Sequence, residues 1–154
     1  MIALRVVQGV TKHFVGRWPE WVLSIILFCL GAKMLSSIDV FGSSPAAFKV
    51  MADFASEEHW GFFLCTIAGL RLIALAINGT FKTFARMSPV IRCGLGFLSG
   101  LAWFSIALGL FLANPEGTGH VTYTGLLIAD MINAALAGGD AGAVERKHRN
   151  GSAG

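Results

Sequence analysis

A chain of 154 residues that is 55% hydrophobic and only 14% charged, with a mean hydropathy of +0.66, has too little polar surface to coat a soluble globule, where charges make up about a quarter of the residues. The net charge of +3 is small, and the basic residues are scattered between apolar blocks. That excludes the concentrated positive field a nucleic-acid-binding protein needs, so the expected partner is the lipid bilayer and not nucleic acid.

Residues 1–19 form the first predicted element. Ile2, Val6, Val10 and Phe14 recur every four residues, Ala3 and Val7 widen the stripe, and Arg5, Gln8 and Lys12 lie off it. This is the pattern of an amphipathic helix lying in a membrane interface. Pro19 then suits the first turn of the next helix. A secretory signal is the competing reading, because a basic stretch precedes an apolar one. Against it stand the length of the apolar block, the lack of a small-x-small cleavage pattern and the interruption at Lys33.

Four apolar blocks follow, at about 21–41 (WVLSIILFCLGAKMLSSIDVF), 59–78 (HWGFFLCTIAGLRLIALAIN), 90–113 (VIRCGLGFLSGLAWFSIALGLFLA) and 121–137 (VTYTGLLIADMINAALA). Their lengths match a hydrocarbon layer of ~30 Å at ~1.5 Å per helical residue. The expectation is an all-α integral membrane four-helix bundle over residues 20–137, preceded by the interfacial helix. Thr122, Thr124, Asp130 and Asn133 dilute the fourth block, which leaves a helix lying on the membrane surface as an alternative there. Residues 138–154 (GGDAGAVERKHRNGSAG) consist of Gly, Ala and charge, and predict a disordered basic tail. Its ERKHR cluster reads as a topology determinant or a contact for anionic lipid.

Basic flanks orient the spans. Arg5, Lys12 and Arg17 precede the first block; Lys82, Arg86 and Arg92 lie between the second and third; Arg146, Lys147 and Arg149 are in the tail; the first loop holds Lys49 alone. Four spans with both termini in the cytoplasm put those groups on one side, whereas three spans would strand the tail on the wrong face. Asp53, Glu57, Glu58 and Glu116 then mark the outer loops. Trp18 and Trp21 would sit at the inner interface and Trp60 and Tyr123 at the outer one. Trp103 falls mid-span and should face another helix, where its indole N–H finds an acceptor.

Charges inside the blocks are the candidate site. From the outer ends, Arg71 lies ~18 Å down its helix, Lys33 ~12 Å down the first and Asp130 ~13 Å down the fourth. Asp130 can therefore accept from either cation, and Asn133 follows on the same face, giving a candidate intramembrane cluster of Asp130, Arg71, Lys33 and Asn133. The alternative for Arg71 and Lys33 is snorkelling to the nearest headgroups. Asp130 is too short to snorkel far. Candidate packing positions are Gly96 and Gly100, with Ser105 and Gly109 continuing loosely; Gly61 and Gly69 around Cys65; and Gly125 with Ala129, Asn133 and Ala137.

Signals for chemistry are lacking. Cys29, Cys65 and Cys93 sit inside apolar blocks without CxxC spacing and read as small core residues. His59 and His120, near Glu57, Glu58 and Glu116, make the nearest thing to a metal grouping, without an i, i+4 ligand pair. No phosphate loop or nucleophile elbow occurs. The reading is therefore a non-enzyme with no cofactor and no metal.

The stretches SPAAFKVMADFASEEHWGFFLCTIAGLRLIALAINGTFK, SPVIRCGLGFLSGLAWF and YTGLLIADMINAAL resemble small multi-span membrane proteins encoded by tailed phages and prophages. The matching positions are Trp60, Gly61, Gly69, Arg71, Leu72, Ile77, Asn78, Gly79, Tyr123 and Asp130. That group has no assigned activity, so the resemblance implies a phage-type protein of the bacterial inner membrane and no role for Arg71 or Asp130. A likeness to four-span DoxX-like proteins rests on span count and Gly31-x-Lys33 and is set aside. Three functions follow as expectations. The first is a non-enzymatic membrane protein that packs with a second copy or with another membrane protein. The others are a holin-like lesion former, and a small channel or transporter using the buried charges.

Overall fold

The computed structural model describes residues 2–36, 39–77 and 87–151, with side chains from residue 16 to residue 146 within those ranges. The chain is all-helical, with no strand among the described residues. In order the helices are α1 (Ile2–Met34), α2 (Val40–Ser43), α3 (Pro45–Ala52), α4 (Glu57–Ile77), α5 (Met87–Ala113) and α6 (Gly119–Gly151). Three stretches are long and apolar enough to cross a membrane: α4, α5 and Gly119–Arg146 of α6.

α1 bends at Arg17, whose backbone leaves the helical region at φ −132°, ψ 16°. Pro19 explains the break, because it offers no N–H to the carbonyl four residues earlier and its ring crowds the preceding turn. Pro19 thus stands in the first turn after the bend, where the sequence places it. Residues 2–16 are helical up to that bend. The side chains of the expected amphipathic stripe, Ile2 to Phe14, lie outside the described ones.

The first apolar block does not make one helix to Phe41, because α1 stops at Met34. Asp39 caps α2 by accepting from the Gly42 N–H at 2.7 Å. Glu57, at the start of α4, accepts from the Val40 and Phe41 N–H groups at 2.9 and 3.0 Å. Its carboxylate thereby satisfies the orphan donors of α2 across the end of the molecule. Pro45 opens α3, and the Trp60 indole N–H donates to the Met51 carbonyl at 2.8 Å, tying α3 to α4.

α5 packs along α6 and α1 along α4; α4 joins α5, and α3 lies across α5. Small residues set the closest approaches. A Cβ on Gly31 would lie 2.8 Å from the Cys65 backbone nitrogen, and one on Gly61 would lie 3.0 Å from the Gly31 carbonyl oxygen, so α1 and α4 meet nearly backbone to backbone. A Cβ on Gly96 would come within 3.1 Å of Ala134, and one on Gly109 within 2.7 Å of the Ala47 carbonyl oxygen. Gly100 meets only the flexible end of Met131. Gly69 and Gly125 are not packing positions, since a Cβ on either meets nothing within 4 Å. A four-residue repeat turns about 40° further round a straight helix at each step, so Gly69 has rotated off the face that Gly61 presents, and Gly125 off the face of Asn133.

The sequence reading ends the folded part at residue 137 and predicts a disordered tail. The helix instead continues through Gly138 and Gly139 to Gly151, and Asp140 is held by two arginines. Many large apolar side chains point outward, among them Ile25, Phe62, Ile73, Phe97, Leu112, Ile132 and Leu136.

Candidate functional site

The most deeply buried polar group is built on three helices. α4 supplies Arg71, α5 supplies Ser99 and Trp103, and α6 supplies Asp130. Arg71 Nη2 lies 2.6 Å from Asp130 Oδ1, with side-chain exposures of 1% and 0%. That contact is an ion pair whose angle falls outside a hydrogen bond. Arg71 Nη1 donates to Ser99 Oγ at 2.8 Å, and Ser99 Oγ donates on to Asp130 Oδ2 at 2.6 Å. The Trp103 indole N–H donates to the same oxygen at 2.9 Å. One carboxylate therefore receives a guanidinium, a hydroxyl and an indole, which is how a charge is kept away from water without a prohibitive desolvation penalty.

Sequence reasoning offers Asp130 either cation, Arg71 or Lys33, with snorkelling as the alternative for both, and the geometry brings Asp130 to Arg71. It also sends Trp103 to an interhelical acceptor, which proves to be Asp130. Lys33 is a different case. It is exposed, belongs to the last turn of α1 and makes no ion pair among the described residues. Counting its depth from Phe41 places it too far inside; with the helix ending at Met34, the ammonium stands beside the free carbonyls of a helix C-terminus, where a cation is favoured. Asn133 is buried one turn along α6 from Asp130, and its Nδ2 has no hydrogen-bond partner.

A second charged group, absent from the sequence reading, joins α1, α5 and α6 at the end that carries the α4–α5 connection. The buried Arg92 guanidinium clasps Glu20 with two nitrogens, Nε to Oε2 at 2.8 Å and Nη2 to Oε1. Asp140 Oδ2 lies 3.1 Å from Arg17 Nη2 and 3.6 Å from Arg92 Nη1. Burial first, then the neighbouring Arg92, pushes the Arg17 guanidinium below its ordinary value, while Asp140 and Glu20 pull it back up. It stays protonated throughout. A signal for this group exists in the sequence: Arg92, Gly96, Ser99 and Trp103 follow one another at steps of four, three and four along one face of α5. Arg92, read only as a loop-edge charge, hides it.

Elsewhere the side chains are less organised. Cys29 is exposed, not a core residue, whereas Cys65 and Cys93 are partly buried; all three are free thiols. Tyr123, in the first turns of α6, is half-buried against Trp103, with ring centroids 6.2 Å apart. His59 bonds Ser56 at 2.6 Å and His120 packs edge-on against Phe111. Among the described residues no three His, Cys, Asp or Glu side chains gather as a metal site would require. Compared with known proteins, the chain matches no family model, no curated protein and no solved structure.

Proposed function

We propose that the chain is an integral protein of the bacterial inner membrane that crosses it four times, with both termini in the cytoplasm, and acts without catalysis by packing against a second copy or another membrane protein. The observation that carries this reading is the burial of the Arg71–Asp130 pair among partners of the chain itself. Its charges are spent on each other, on Ser99 and on Trp103, as in a fixed clamp that holds α4, α5 and α6 in register. A buried polar network that joins three helices favours one arrangement of them.

Supporting it are the apolar side chains turned outward on α1, α4, α5 and α6, which suit lipid or a partner helix. The α1 segment after the bend, Trp18 to Met34, spans about 25 Å at 1.5 Å per residue, enough for a short span with Lys33 at the outer headgroups. Arg17, Arg92 and Arg146 then lie on the cytoplasmic side.

Inducible expression in a bacterium, following growth and membrane potential beside Asp130→Asn and Arg71→Leu variants, tests the reading. The expected outcome is normal growth, full potential, retention in membranes after alkaline carbonate, and a cross-linked species containing a second copy or one defined membrane protein. Collapse of the potential with the wild type alone would replace it with a lesion former or channel, and release by carbonate would remove the membrane assignment.

A further inference from the structure

The interior is divided by polarity across its length. Among the described residues, the buried polar side chains are Glu20, Ser24, Arg71, Ser88, Arg92, Ser99, Asp130 and Asn133. All of them lie between the middle of the helices and the α4–α5 end. Toward the opposite end the interior is a continuous apolar cluster, in which Met34, Phe48, Met51, Leu64, Ile67 and Ile106 pack with Trp103. Trp103 stands at the boundary, its indole N–H on Asp130 and its ring among the apolar residues.

Hydrogen-bonding capacity in the polar half is incomplete. Arg17 Nη1, Arg92 Nη1, Asn133 Nδ2 and Arg71 Nε are all buried without a hydrogen-bond partner. They are spread over four helices, Arg17 on α1, Arg92 on α5, Asn133 on α6 and Arg71 on α4, with Arg17 beside Asp140 and Arg71 on Asp130. A buried donor left unsatisfied costs about 1–3 kcal/mol, and several in one place are normally met by internal water, each molecule taking two to four polar partners. Ser24, fully buried on α1 with its hydroxyl donating to the Glu20 carbonyl, and Asn133 are neutral side chains of this half with oxygens left to accept from water. The unpartnered groups in this half are four N–H donors and one acceptor, Asp130 Oδ1, and water, which both donates and accepts, can serve all of them.

We propose that the cytoplasmic half of the bundle holds a file of bound water running from the Arg17–Asp140 rim to Asp130, closed beyond it by Trp103 and the apolar cluster. The assignment of that half to the cytoplasm rests on the membrane reading above. Water then reaches the buried carboxylate from one side alone, which is a property beyond a passive clamp.

Water-edited solid-state NMR on the wild-type protein in lipid bilayers tests this without any substitution. Polarisation from water should build up on Asn133 Nδ2 and on the Arg71 and Arg92 side-chain nitrogens several times faster than on the Leu64 and Ile106 methyls. Equal, slow build-up at Asn133, Arg71 and Ile106 would show a dry interior and overturn the proposal; fast build-up at Ile106 as well would remove the apolar closure and overturn its one-sidedness. Lipid-edited spectra recorded in parallel separate this from failure of the membrane reading, because Phe62, Phe97 and Ile132 must then receive polarisation from acyl chains. A Ser24→Val variant that slows build-up at Asn133 while preserving the lipid-edited pattern gives a second line of support, and unchanged build-up there removes Ser24 from the file.

Discussion

Asp130 pairs with the Arg71 guanidinium and accepts hydrogen bonds from Ser99 and Trp103, so its substitution is not equivalent to removing one bond. Asp130→Asn deletes the negative charge and leaves Arg71 buried with its charge unmatched. The expected cost is about 3–5 kcal/mol, the range for breaking a buried pair from one side. Removing both charges as Asp130→Leu with Arg71→Met should be much milder, because no uncompensated ion remains. Thermal unfolding of the purified protein in detergent checks the order: single variant lowest, double variant between it and the wild type. At the end that carries the α4–α5 connection, exposure ranks the two carboxylates. Glu20 is buried beneath Arg92, whereas the Asp140 side chain is 48% exposed, and partly exposed pairs contribute about 0–1 kcal/mol. Glu20→Gln should therefore lower the unfolding midpoint clearly and Asp140→Asn barely, the same melting experiment deciding it.

Helix pairing depends on glycine only where two backbones meet. Gly31→Ala drives a methyl to 2.8 Å from the Cys65 backbone nitrogen and 2.9 Å from the Gly61 carbonyl oxygen, atoms that cannot step aside without moving a helix. The expected loss is about 1–3 kcal/mol, typical of overpacking. Gly69→Ala and Gly125→Ala enter open space and should leave the melting midpoint unchanged or raise it slightly through helix propensity. A repeat of small residues is visible in the sequence at both kinds of position, and nothing in the repeat separates them. Contact is decided by helix rotation, and the four-residue step drifts off any one face. α2 and α3 were hidden for a related reason. The sequence from Leu35 to Phe41 is apolar enough to prolong a span, but Asp39 and Glu57 offer the α2 amides better partners than a longer α1 would, and the chain turns instead.

Taken entire, the molecule places its buried charge at one end and mid-depth and its apolar core at the other. If the cytoplasmic assignment holds, reporter fusions after residue 54 and after residue 117 should show the outer location, and fusions at the N-terminus, near residue 82 and after residue 146 the inner one. Alkaline phosphatase and green fluorescent protein fusions measure this directly. An inner signal from the fusion after residue 117 would move α6 out of the membrane and remove the four-span arrangement.

Much of this organisation was legible before any coordinates. Hydropathy and helical period are local properties, summed over windows of some twenty residues, so the positions of α4 and α5, the apolar start of α6 and the break at Pro19 follow from the order of residues alone, which also marks Asp130 and Arg71 as candidates for a pair without choosing between Arg71 and Lys33. Which face of each helix turns inward is not local. It comes from the packing of every helix against the others at once, and only that packing brought Ser99 to the ion pair, joined Arg92 to Glu20, carried α6 on to Asp140 and left Lys33 at a helix end, outside the charge cluster the linear order suggested.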